Sequence, residues 1–263
     1  MQELGSGDTR ERPIRLGGAL ITMVEPRKGH EVAYNRWYER DHYYAGCMIG
    51  AWTIQGGRYV ATRDLKALRY PADSPVCPDP MSGSYVAIYW ILAGKFGDWM
   101  KWGTEQVVWL HENGRMFTER DHIHTVMYRF RTEYEQPDGV PVELALDHRS
   151  PYCVLVVGEP AEGVELDAVD AWFRTEASLP SVVAAEFTPV PLLGDAPSDV
   201  PRRDGGNQFA QLWFVDGDLP ALWAGSFATL GARMEAAGIG RALFVSPFRA
   251  TVPGTDTYTD QLW

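Results

Sequence analysis

Two short stretches hold most of the residues with chemical capacity. The first, NRWYERDHYYAGCMIGAW at 35–52, opens as an amphipathic helix whose apolar stripe is marked by Tyr34, Trp37 and Tyr38. With 3.6 residues per turn, positions 34, 37, 38, 41, 42 and 45 share one face, so the stripe continues into Asp41 and His42. A carboxylate on a buried face must be paired or line a wet cavity, because burying it alone is costly. An imidazole of near-neutral pKa in such a cavity suits general acid–base work. As neighbours about 100° apart around the helix, the two flank a pocket and do not bond each other. The competing reading is a surface His at a helix C-terminus, with Asp41 paired to Arg40 or Arg36.

The second stretch is RDHIHTVMYRF, residues 120–130. On a regular strand His122, His124, Val126, Tyr128 and Phe130 point to one side. Two histidines at i and i+2 could chelate a metal, completed by Asp41 or Glu119 as a two-His, one-carboxylate site. HxH alone more often marks a polar strand end, so no bound metal is expected. The alternative use is catalytic: His124 would reach the pocket of His42 and supply the second acid–base group. His111, at the end of the stripe Phe96, Met100, Gly103, Val107 and Leu110, reads as structural.

Aromatic residues crowd the same half. Trp37, Tyr38, Tyr44, Tyr85 and Tyr89 are the expected substrate-binding wall, since rigid rings shape a cavity for a flat apolar ligand. Tyr43 and Tyr44 beside His42, and Tyr85 or Tyr89 on the next strand, could donate to a substrate carbonyl or enolate.

The chain is long enough to position such residues on a substantial core. It has 263 residues, a net charge of −11 and a pI near 5.0, which disfavours nucleic acid and anionic membranes as partners. Cys47, Cys77 and Cys153 are odd in number and follow no CxxC pattern, as expected of reduced thiols in a cytoplasmic protein. No GxGxxG loop, Walker A, GxSxG or HExxH is present, and GGR at 56–58 reads as a turn or bulge. Nicotinamide hydride transfer, phosphoryl transfer and serine hydrolysis are thereby disfavoured. Haem ligation by His42 or His124 stays open, without a recognisable attachment motif.

The elements that must carry these residues occur twice. A strand (19–24), a helix (30–46), two strands (51–61 and 84–92), a helix (96–114) and a strand (122–131) form the first half. The second repeats the order with YCVLVVG, LDAVDAWFRTEASLP, AAEFTPVPLLG, NQFAQLWFVDG, LPALWAGSFATLGARMEAAG and RALFVSPFRA. Trp37-Tyr38 matches Trp172-Phe173 and Asp41 matches Glu176, but His42 matches Ala177. Each half carries a long loop between its second and third strands. The expected division is a flexible leader at 1–14, an active unit at 15–135, a linker at 136–147, a scaffold unit at 148–252 and a tail at 253–263. The βαββαβ order specifies a ferredoxin-like unit with one apolar sheet face left to cover. The fold class is therefore α+β: two tandem ferredoxin-like units packed sheet to sheet, helices outside, as an intramolecular dimeric α+β barrel. Such a chain would be a monomeric pseudo-dimer or a homodimer.

The helix WYERDHYYAG, ending in Gly46 before a strand, resembles the corresponding helix of the EthD-like branch of the dimeric α+β barrel superfamily. The resemblance implies the fold and a pocket between helices and sheet. It also implies an activity among dehydratases, cyclases, isomerases, cofactor-free monooxygenases of aromatic substrates, or haem enzymes. The expectation is an enzyme without a cofactor that performs acid–base chemistry (dehydration, cyclisation or isomerisation) on an aromatic, polyketide-like or similarly apolar small molecule. His42 would be the acid or base, Asp41 its electrostatic partner, and a Tyr or His124 the oxyanion donor. Cofactor-free oxygenation and non-catalytic ligand carriage are the alternatives.

Overall fold

The structure, a computed structural model, describes residues 13–136, 138–191 and 206–263. Most of the expected leader, Pro137 of the expected linker and nearly all of the expected second long loop lie outside the described residues. The strands of the first half are β1 (Leu16–Pro26), β2 (Thr53–Val60), β3 (Tyr85–Leu92) and β4 (Arg120–Glu135). Those of the second are β5 (Tyr152–Pro160), β6 (Val183–Val190), β7 (Phe209–Val215) and β8 (Gly240–Ala250). Each half forms the antiparallel ferredoxin-like order, β4-β1-β3-β2 and β8-β5-β7-β6, and the two sheets join edge to edge as one closed barrel. The fold is the dimeric α+β barrel built from a single chain. Closure covers most of the sheet edges that an isolated unit would expose.

Strand alternation makes one core inside the barrel and one beneath the helices of each half. Inward-facing Ile21, Ile88, Trp90, Leu155, Phe187, Leu212 and Phe214 fill the barrel. Outward-facing residues meet helices. In the first half Val24, Tyr85, Tyr89 and Ile91 pack with Tyr34, Tyr38 and Trp99; in the second, Val154, Val156 and Trp213 pack with Val169, Phe173 and Ala177. Burial on both faces explains the nearly unbroken apolar run of β3. Loop 71–83 helps close the barrel: Val76 and Cys77 are in its core, and Arg69 reaches the carbonyls of Pro80 (3.0 Å) and Gly83 (2.8 Å).

The helices are α1 (Glu31–Trp37), α2 (Arg63–Lys66), α3 (Phe96–Glu112), α4 (Ala145–His148), α5 (Leu166–Thr175), α6 (Leu219–Trp223) and α7 (Leu230–Ala236). Two of the expected helices end early or break for reasons in their own sequence. Helix α5 stops at Thr175 because Ser178 takes φ +45° and Pro180 follows. The expected 219–238 helix is split at Gly225-Ser226, where Ser226 leaves helical geometry at φ −135°. The 253–263 segment packs against α1: Leu262 is buried, and Trp263 Nε1 donates to Glu31 Oε1 at 2.6 Å.

Candidate active site

Helix α1 does not continue as a regular α-helix. Residues Tyr38–His42 and Tyr44–Met48 are π-helical, with Tyr43 N–H donating to the Tyr38 carbonyl and Ile49 N–H to that of Tyr44 (3.1 Å). In an α-helix, residues five apart are about 140° out of line. The i→i+5 closure of a π-turn brings the fifth residue back over the first. Trp37 and His42 are five apart, and their rings stack at 4.6 Å and 17°. The Tyr38 ring meets the same imidazole edge-on at 5.3 Å. Gly46 makes room for it: a Cβ there would lie 3.1 Å from His42 Cε1.

His42 faces an enclosed chamber of about 80 Å3 between these turns and the outer face of β1 and β4. Leu20, Val24, Val107 and Met116 form its apolar walls; Thr22, Tyr38, Cys47, Tyr89, Thr125 and Arg120 add polar atoms. The Tyr38 and Tyr89 hydroxyls are bonded at 2.9 Å, and Thr22 bonds Thr125 at 2.8 Å. The chamber shares His111, Met116, Arg120 and His122 with an open vestibule of about 530 Å3. Those four residues form the throat between the two.

Electrostatics make His42 unusual. Its Nδ1 is buried with no hydrogen-bond partner. Burial, reinforced by the nearby Arg120 and His122, lowers its pKa from 6.5 to about 3, against a small opposing pull from Asp41. The imidazole is therefore neutral at physiological pH. Burial likewise raises the Tyr38 and Tyr89 phenols well above 10, and the Cys47 thiol from 9.0 to about 12, so all three stay protonated donors.

A β-bulge decides the fate of the second constellation. On β4, Met23 of β1 opposes His124 while Val24 opposes His122, leaving Ile123 as the extra residue. The bulge re-aims His122 to the outer face. His122 Nδ1 bonds Thr125 Oγ1 at 2.9 Å, and Arg120 Nη2 donates to its Nε2 at 3.2 Å. His124 stays inside the barrel with Val126 and Tyr128, its Nε2 2.8 Å from the Tyr128 hydroxyl. The one-sided HxH pair expected from strand alternation is thus not formed, and His124 lies across the sheet from His42. Among the described residues no three His, Cys, Asp or Glu side chains are grouped to hold a metal ion.

The other sequence candidates divide by location. Asp41 is outside the chamber, clasped by both arms of the Arg115 guanidinium (Nε at 3.2 Å) at the end of α3, so it ties the π-turns to that helix. Its partner is Arg115, where the competing sequence reading had Arg40 or Arg36. Trp37 is the wall behind His42, with Nε1 bonded to the Arg115 carbonyl at 2.9 Å. Tyr38 and Tyr89 line the chamber. Tyr85 lies behind them against Tyr34 at 5.4 Å, and Tyr44 is 53% exposed on another pocket. Arg120, His111 and Met116 were not assigned to the pocket by spacing, whereas His122 was expected on a polar strand end at the cavity mouth. Only the proximity of Arg120 to HIH in the chain hinted at them.

The corresponding position in the second half is closed. Ala177 is fully buried among Val154, Val156, Leu230 and Met234. The second half instead has an open pocket of about 810 Å3 lined by Tyr134, Phe173, Trp213 and Ser226, with no histidine in its walls.

No family model matches the sequence, and no curated protein matches it. Solved structures do. A chlorite dismutase-like protein superposes with a TM-score of 0.54 at 13% identity, over 95% of this chain and 100% of that one. An anthrone oxidase-like protein does so at 0.50 and 10% identity, over 93% and 98%. At these identities the likeness concerns the fold, and it extends over the whole barrel. The EthD-like branch is not singled out. Haem, among the groups that the family resemblance allows, does not fit either candidate ligand. The chamber at His42 is far smaller than a porphyrin, and His124 is packed inside the barrel. No helix among the described residues is long and apolar enough to cross a membrane.

Proposed function

We propose that the protein is a cofactor-independent enzyme that moves a proton on a small aromatic, polyketide-like or similarly apolar substrate bearing an enolisable or phenolic group. The observation that carries this reading is the neutral His42, its buried Nδ1 without a partner, beside the Arg120 guanidinium in one enclosed chamber. The neutral imidazole is available there as a base. An imidazolium is disfavoured there until an opposite charge arises beside it, and formation of a substrate oxyanion supplies that charge. Arg120 and the Tyr38–Tyr89 hydroxyl pair then act on the oxyanion as donors in a low-dielectric site. Trp37 holds the imidazole plane throughout.

The chamber is small compared with ligand sites of roughly 300–1,000 Å3. It admits the reacting end of the substrate, and the body of the molecule occupies the vestibule among Val108, Met116 and Phe117. Return of the proton to a departing hydroxyl gives dehydration; return to another carbon gives isomerisation; attack of the carbanion on a carbonyl of the same molecule gives cyclisation. A second reading is favoured by the anthrone oxidase-like neighbour: the carbanion meets O2, and a ring methylene plus O2 gives a carbonyl plus water without an external reductant.

The test is turnover of a panel of phenolic and polyketide-like ketones, with and without oxygen. Turnover independent of oxygen, lost in His42→Ala, supports the first reading. Strict oxygen dependence selects the second. Saturable binding with no turnover under either condition would make the protein a ligand carrier and overturn both.

A further inference from the structure

The two seams of the barrel are unequal. β4 and β6 pair over eight positions, from Met127 opposite Val190 to Glu135 opposite Val183. β2 and β8 pair over two, Tyr59 opposite Ala250 and Val60 opposite Arg249. The edge of β2 from Thr53 to Gly57 is therefore left open by β8. The GGR sequence at 56–58, which reads locally as a turn, lies within this strand. Its glycines permit close approach from both faces: a Cβ at Gly56 would lie 2.6 Å from the Tyr43 hydroxyl, and one at Gly57 2.9 Å from Leu146 Cδ2.

A pocket of about 300 Å3 occupies this opening, with Tyr43, Tyr44, Gly56, Gly57, Arg58 and Arg149 in its walls. The π-turns contribute Glu39 and Tyr44 to its walls, and it shares no lining residue with the His42 chamber. Arg58 is only 9% exposed and is held rigidly. Nη1 contacts Glu39 at 3.2 Å and donates to Asn35 Oδ1 at 3.1 Å, while the guanidinium lies 4.5 Å from the Tyr38 ring and 5.2 Å from that of Tyr85. Its buried Nη2 has no hydrogen-bond partner. A buried guanidinium nitrogen without an acceptor is rare and needs a reason. Arg149, exposed at φ +59°, adds a second cation to the same walls.

We propose that the seam pocket binds a small planar organic anion, with its carboxylate between the Arg58 and Arg149 guanidinium groups and its ring against Tyr43 and Tyr44. The volume is at the low end for ligand sites, enough for one ring and one acidic group and too little for a nucleotide. Arginine's fork matches a carboxylate in a way that a lysine ammonium does not. Tyr43 and Tyr44 meet edge to face at 5.2 Å, forming an aromatic corner for the ring.

The test is calorimetric titration of the full chain with benzoate. Saturable binding is expected, weakened about tenfold or more by Arg58→Lys and several-fold by Arg149→Asn, which retains a residue that tolerates the left-handed backbone. Tyr44→Ala should also weaken it, and His42→Ala should leave it unchanged. No saturable heat, or binding unaltered in folded Arg149→Asn and Tyr44→Ala, overturns the proposal. Loss of binding in His42→Ala alone would place benzoate in the other chamber and overturn it too. Should Arg58→Lys fail to fold, the two surface variants decide the question.

Discussion

Replacing His42 by Ala tests the chemistry and the electrostatics of the site in one variant, through the pH at which the fold is weakened. In the native state the imidazole pKa lies near 3 because burial penalises its charged form; in the unfolded chain it is about 6.5. The native pKa is the lower one, so the neutral His contributes stability that is fully present above about pH 6.5 and is lost as pH falls towards about 3. The loss approaches about 1.4 kcal/mol per pH unit within that window. Between about pH 7.5 and pH 5 it amounts to about 2 kcal/mol, an upper bound because the ring is only partly enclosed. The variant has no such titration. At about pH 7.5 it loses the Trp37 stack and leaves a void, a cost of about 1–3 kcal/mol. That gap should close or reverse near pH 5. Urea unfolding of both proteins at the two pH values measures it, while turnover at neutral pH should fall by roughly 10² or more. A stability gap that stays constant with pH would refute the depressed pKa. A variant that does not fold at neutral pH would make His42 structural.

Four further outcomes are expected. Gly46→Ala should be close to neutral for helix stability yet lower turnover at least several-fold, because the new Cβ presses on His42 Cε1; an unchanged rate would show that His42 tolerates displacement. Asp41→Asn should lower the melting temperature by loosening the Arg115 clasp, and turnover by less than tenfold, since the carboxylate is outside the chamber; a loss as large as that of His42→Ala would make Asp41 part of the chemistry. Ala177→His should destabilise the second half by about 2 kcal/mol or more through overpacking of a fully buried position, measured by urea unfolding, without adding activity. Tyr134→Phe removes the 2.6 Å hydrogen bond to the fully buried Glu186, leaving Arg131 and Gln211 as its donors. It should cost about 1–3 kcal/mol by thermal or urea unfolding with turnover unaffected.

The sequence by itself determined the architecture, because that rests on periodicity repeated over long stretches. Strands such as YVAIYWIL and YCVLVVG, alternating twice with helices in βαββαβ order, allow few packings that cover both apolar sheet faces. The contrast of His42 with Ala177 was legible for the same reason: aligned helices present aligned positions. The site itself was decided by irregularities that periodicity cannot show. A regular helix puts Asp41 and His42 on one buried face; the π-turns carry His42 onto Trp37 and leave Asp41 to Arg115. A regular strand puts His122 beside His124; one extra residue at Ile123 sends them to opposite sides of the sheet. Each deviation inserts a single residue into a hydrogen-bond ladder, and its register is set by partners far away in the chain, β1 for the bulge and the end of α3 for the helix. Arg120 and Met116 reach the His42 chamber because β4 pairs with β1 and α3 docks beside them, which local sequence records only in the closeness of Arg120 to HIH.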